Sequence, residues 1–326
     1  MTFKFEKNCH KLFLKSKSKN YLVSIAIGQK HYFDWKRFSS KLWLKYCKNN
    51  NLVLIIIYKD LISKESLNWK SPTWQRLLVS QYLSLNLKNV SNICLLDTDI
   101  FINPLAPNIF SKHKKNKISA VKAYKDIPFL KSNFNLRKKL AFLRKNFLSK
   151  NYLLNSSLTA SPKEIFKYYK FKKIFNNYFV AGVLVFNVKK FQKILSNIYR
   201  KYCSKTLNKK FTGVEVPLNN ELKSLNSINW IDYKFQAIWL FEIADKYNFL
   251  YYDKFKDKKI LKTVIEQILI ENYFLHFAGT LSDANNVWKI DKILGDNKKL
   301  KLIEKYKKFE KKKIKRKFHK IKIKNI

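Results

Sequence analysis

The 326-residue chain is 46% hydrophobic and 16% aromatic, enough to bury a sizeable core. Its longest apolar run, "LVLIIIY" at residues 52–58, is far short of the roughly 18 residues of a spanning helix, and its four cysteines contain no CxxC pair, which argues against a zinc knuckle or a disulfide framework. The 68 Lys and Arg against 22 Asp and Glu give a formal charge of +46, an attraction for phosphates of any kind: nucleic acid, anionic lipid headgroups or sugar nucleotides. The lysines are spread through every segment rather than gathered with aromatics on one face, so nucleic acid is the disfavoured partner.

Residues 1–20 alternate lysines with isolated apolar residues and lack a signal-peptide core, so they read as a basic leader and a reducing cytoplasm is expected. "YLVSIAIG" at 21–28 predicts a buried strand stopping at a glycine, followed by a helix over 30–50. "LVLIIIY" is a second buried strand, because β-branched runs bounded by polar residues mark strands covered on both faces. A helix follows over 71–87, announced by a serine cap and a proline in its first turn. "NVSNICLLDTDIFI" at 89–102 is a third strand, and the alternation so far is that of a Rossmann-like, mostly parallel α/β sheet. Residues 111–173 turn polar and irregular, an excursion over the active-site face. "YFVAGVLVFNVKKFQKIL" then returns as strand into helix, a helix and a strand follow over 211–239, and "NYFLHFAGT" at 272–280 is a last short strand.

Asp97 and Asp99 fall where the third strand leaves the sheet, the kind of position at which open α/β sheets bind ligands. Two carboxylates at i and i+2 can reach one divalent cation where the chain turns, and the hard cations Mn²⁺ and Mg²⁺ commonly share such oxygens with substrate phosphates. An unpaired carboxylate between apolar stretches is costly without a cation. Taken alone, a histidine in an apolar strand such as His276 is ordinarily a satisfied core residue, Arg76 an ordinary helix-surface residue, and Glu215 a solvated loop residue.

Five stretches in order over about residues 21–288 resemble the nucleotide-sugar glycosyltransferases of the GT-A type fold, most closely the retaining galactosyl- and glucosyltransferases of family 8 and their glycogenin-like relatives. "SIAIGQKHY" resembles the nucleotide-contacting turn, with Ala26, Ile27 and Tyr32 at matching positions. "QRLLVSQYL" is similar to the helix whose arginine, here Arg76, reaches the donor, and "ICLLDTDIFINPL" to the metal motif of Asp97, Thr98 and Asp99. "YFVAGVLVFNVKKF" carries Ala181 and Gly182, which the resemblance places against the donor sugar; "LHFAGT" carries a metal-binding His276, with Gly279 three residues on. Glu215, in "GVEVPLNN", stands one position away from the family's acidic residue relative to Leu218 and Asn219. Val180 replaces an asparagine, Ser282 a phosphate-binding lysine, and Trp288 comes too late for the family's Pro-Trp.

The resemblance implies an enzyme that transfers a hexose, with retention, from a UDP-sugar to a glycan or lipid-linked acceptor; the departures at Val180 and Ser282 leave as the alternative a degenerate transferase that binds the donor without turnover. Asp97, Asp99 and His276 would hold Mn²⁺ or Mg²⁺, and Asp97, Asp99 and Glu215 would make up the catalytic set. A catalytic domain over 21–290 would comprise a nucleotide-binding half, 21–110, and an acceptor half, 111–290, followed by a basic tail over 291–326. In that tail Leu302, Tyr306, Phe309, Ile314, Phe318 and Ile321 recur at helical spacing among lysines, the pattern of an amphipathic helix on an anionic membrane, so the expected location is peripheral on the inner face. Each lysine at such a surface contributes about 1 kcal/mol. Deleting residues 298–326 should abolish flotation with anionic liposomes while donor binding stays within about twofold; a truncated protein that still floats contradicts the anchor.

Overall fold

The structure, a computed structural model, describes residues 3–123, 161–202, 213–247, 249–252 and 257–279. The chain divides into two units, 1–288 and 289–326. The second, with the amphipathic tail, lies outside the described residues, as do Ser282 and Trp288.

Ten strands are described. Seven form one sheet in the order β1-β3-β2-β4-β7-β6-β8: β1 His10–Leu14, β2 Asn20–Ile25, β3 Val53–Ile57, β4 Asn92–Leu96, β6 Ile118–Ala123, β7 Tyr178–Asn187 and β8 Ile228–Ile231. The other three, β5 Ile100–Ile102, β9 Ala237–Ile238 and β10 Phe274–His276, form a small sheet in the order β5-β10-β9. The expected α/β class is present. Every residue of β3 and of β7 is buried, as continuous apolar runs require.

The sheet is mostly parallel, as expected: β2, β3, β4, β6 and β8 run in one direction, while β1 runs antiparallel to β3 and β7 antiparallel to β4 and β6. Three other expectations need correction. The leader is not separate, because His10, Lys11 and Leu12 pair with Ile57, Ile56 and Ile55, and the Cys9 N–H donates to the Tyr82 hydroxyl at 3.0 Å. The strand predicted over 89–102 is two strands in different sheets: β4 ends at Leu96, β5 begins at Ile100, and Asp97, Thr98 and Asp99 are the turn between them. The predicted helix over 71–87 is also interrupted. Ser71 occupies the cap position, but its hydroxyl meets Thr73 Oγ1 instead of capping, and a 3₁₀ turn at Arg76–Leu78 separates the helical segments Pro72–Gln75 and Val79–Asn86.

β7 carries a wide bulge. Ala120 pairs with Leu184 and Lys122 with Phe179, so Val180, Ala181, Gly182 and Val183 stand against Val121 alone. Bulges re-aim a strand beside functional sites. Here the helix Glu215–Ser224 supplies side-chain partners to the backbone of β7, in the bulge and beside it. The buried Asn219 amide donates to the Phe179 carbonyl at 2.8 Å and accepts from its N–H at 2.9 Å, and Glu215 Oε2 accepts the Ala181 N–H at 3.0 Å. Replacing Asn219 by alanine leaves both polar groups of Phe179 buried without these partners, each costing about 1–3 kcal/mol. Urea unfolding of Asn219→Ala should show a loss of about 2–4 kcal/mol; a loss below about 1 kcal/mol would show that the bulge does not need its side-chain partner.

Candidate metal and nucleotide site

The small sheet brings the distant site residues together. Antiparallel pairing of β10 with β5 sets His276 opposite Ile100, next to Asp99, and the Phe277 N–H donates to the Asp99 carbonyl at 3.0 Å. On the other side the Asp97 N–H donates to the Gly182 carbonyl at 3.0 Å, which fixes the turn to the bulge of β7. Ser39, at the end of the π-helical turn Trp35–Ser39, donates its hydroxyl to the Thr98 carbonyl at 3.0 Å. The backbone of the whole Asp97-Thr98-Asp99 turn is therefore held from three directions.

The side chains converge on one point. His276 Nε2 lies 3.3 Å from Asp99 Oδ1 and 3.6 Å from Asp97 Oδ2, and one ligand atom from each of the three residues falls within 4.8 Å of the others. Asp97 Oδ1 receives Arg76 Nη2 at 3.0 Å, and Asp99 Oδ2 receives the Gly279 N–H at 2.9 Å. Gly279 has φ +84°, a conformation that a side chain would strain. Two carboxylates and one imidazole are the oxygen-rich, borderline donor set that suits Mn²⁺ or Mg²⁺, and their spacing fits a single ion.

The charges explain the titration behaviour. Burial drives His276 toward its neutral form, but the attraction and hydrogen bond of Asp99, then the fields of Asp97 and Glu215, reverse this and leave its pKa raised. Burial likewise opposes ionisation of Asp99, yet His276 and the Gly279 N–H outweigh it and lower the carboxyl.

A cavity of about 630 Å³ opens over this group at the carboxyl ends of β2 and β4. Ile27, Arg76, Asp97, Thr98, Asp99 and Gly279 line it, as the resemblance implies. The other expected donor contacts sit elsewhere. Ala26 is fully buried, its N–H spent on the Ile57 carbonyl at 2.7 Å. Tyr32 packs in an aromatic cluster with Phe13, Trp35 and Tyr58. Ala181 and Val180 are buried in the bulge, the former bonded to Glu215.

Gly182 has a role that sequence reasoning missed. A Cβ there would stand 2.4 Å from His276 Cε1, 2.7 Å from His276 Nδ1 and 2.7 Å from Gln236 Nε2, so the absence of a side chain is what lets the imidazole rest on the strand. Arg76, only 8% exposed, acts first on Asp97. Lys30, His31 and Thr73 line the cavity and were not anticipated, although the first two follow the strand-ending Gly28, where ligand contacts are expected.

No family model matches the chain, and no curated protein matches its sequence. Among solved structures it is similar to a glycosyltransferase involved in the glycosylation of the major capsid of PBCV-1, at 11% identity and a TM-score of 0.46 over 84% of this chain and 98% of that one. It is also similar to the apo bifunctional glycosyltransferase WbbM, at 13% identity and a TM-score of 0.43, over 82% of this chain but only 46% of that one. A third similar structure is the galactosyltransferase LgtC in complex with donor and acceptor sugar analogues, at 12% identity and a TM-score of 0.41 over 84% of this chain and 95% of that one.

Proposed function

We propose that the protein is a metal-dependent glycosyltransferase that takes a hexose from a nucleoside diphosphate sugar, a UDP-sugar by the resemblance, and passes it with retention to a hydroxyl of a glycan or lipid-linked acceptor. The observation that carries this is the convergence of Asp97, Asp99 and His276 on one point beneath a cavity large enough for a nucleotide. Mn²⁺ or Mg²⁺ held there would neutralise the diphosphate and act as a Lewis acid on the departing oxygen. Arg76 holds the Asp97 carboxylate by an ion pair, and the Gly279 N–H holds that of Asp99 by a hydrogen bond. Lys30 and His31 add basic groups to the cavity wall that a diphosphate would meet. Glu215, fixed by the Ala181 N–H behind the metal ligands, is the candidate for charge stabilisation at the sugar. No described helix is long and apolar enough to cross a membrane, and the proposed attachment is peripheral, through the tail.

Incubation with a panel of nucleotide sugars and Mn²⁺, read by mass spectrometry, should show release of one nucleoside diphosphate. Three further outcomes are expected with it. EDTA should weaken UDP binding at least about tenfold, and Asp99→Asn should abolish turnover while its melting temperature stays close to that of the wild type. Mn²⁺ affinity should climb with pH, by up to about tenfold per unit, until it levels off above the raised His276 pKa, because a ligating imidazole must first lose its proton. UDP binding that is indifferent to EDTA would remove the metal from the proposal.

A further inference from the structure

The nitrogen of His276 that faces away from the carboxylates meets a single side chain. Gln236 Nε2 lies 3.1 Å from His276 Nδ1. The glutamine is 1% exposed, and its oxygen Oε1 is buried with no hydrogen-bond partner among the described residues. It immediately precedes β9, whose Ile238 pairs with His276 in parallel, so the two side chains are fixed in register by the same small sheet. Both rest against the bare Cα of Gly182, which denies the imidazole sideways movement.

We propose that Gln236 is the positioning residue of the cation site, setting the ring orientation of His276 and the nitrogen that carries its proton. The proposal rests on Asp97, Asp99 and His276 being cation ligands. A neutral imidazole has one N–H and one lone pair, and what Nδ1 meets decides which of them Nε2 presents. With the amide nitrogen toward Nδ1, as in the structure, Nε2 carries the proton and aims it between Asp97 and Asp99. A half-turn of the carboxamide puts Oε1, otherwise without a partner, on an Nδ1–H and frees the Nε2 lone pair toward the carboxylates. An uncharged amide can serve both arrangements without moving the ring; an aliphatic side chain serves neither, and a carboxylate serves only the second.

Those differences give the test. Mn²⁺ binding to the full chain is followed by electron paramagnetic resonance in the wild type, Gln236→Met and Gln236→Glu, with melting temperatures recorded. Methionine should weaken Mn²⁺ roughly 10- to 100-fold, the usual cost of losing a partner that orients a ligand, and glutamate should recover affinity to within about threefold of wild type. Methionine within about twofold of wild type, or glutamate as weak as methionine, overturns the role of Gln236. A wild type that binds no Mn²⁺ instead defeats the metal site itself. If the variants fail to fold, the ¹⁵N shifts of the histidine rings in Mg²⁺-saturated wild type decide: protonation of His276 at Nδ1 supports the proposal, and at Nε2 overturns it.

Discussion

Two carboxylates two residues apart are held within 4.8 Å of each other and of one imidazole, and the architecture around them follows from making that tolerable. At about 5 Å and an effective dielectric near 20, two like charges repel by roughly 3 kcal/mol before solvent screening at Asp97, whose side chain is 36% exposed. Positive charge therefore has to converge on them. Arg76 comes from a 3₁₀ interruption of its helix, and His276 from the last strand of the small sheet. The chain leaves β4, turns through the carboxylates and enters β5, so both acids sit in the turn that joins the two sheets.

The same constraint accounts for the bulge in β7. A regular strand would carry a side chain where His276 lies, and Gly182 removes it. Within and beside the bulge the helix Glu215–Ser224 bonds the backbone of β7, Glu215 at Ala181 and Asn219 at Phe179. One local electrostatic requirement is thus tied to a sheet irregularity, a buried asparagine and a glycine far apart in sequence.

How much of this was legible depended on whether the signal was local. β3 and β7 are long apolar runs and were plain; the helix at Val188–Lys201 follows at once, capped by the side chain of Asn187, the last residue of β7. β1 was hidden because its alternation lies in a lysine-rich leader and reads as a solvated segment until β3 is beside it. β6 was hidden inside a polar stretch. The break between β4 and β5 was invisible because "ICLL" and "IFI" are equally apolar, and only tertiary pairing assigns them to different sheets. The candidate metal ligands could be named from the spacing of Asp97 and Asp99 and the resemblance around His276. Gln236 could not, since one polar residue between Phe235 and Ala237 carries no period. Tyr32 and Ala26 matched family positions in sequence; in the structure Tyr32 packs among aromatics and Ala26 is buried in the core.

The central claim is that Asp97, Asp99 and His276 form one cation site that receives a nucleoside diphosphate. It is tested most directly by anomalous scattering at the manganese edge from crystals grown with Mn²⁺ and UDP. A single strong peak ligated by Asp97, Asp99 and His276, with diphosphate oxygens completing its coordination, is the predicted result. UDP bound in the cavity with no peak between these residues, and His276 still paired to Asp99, would contradict it.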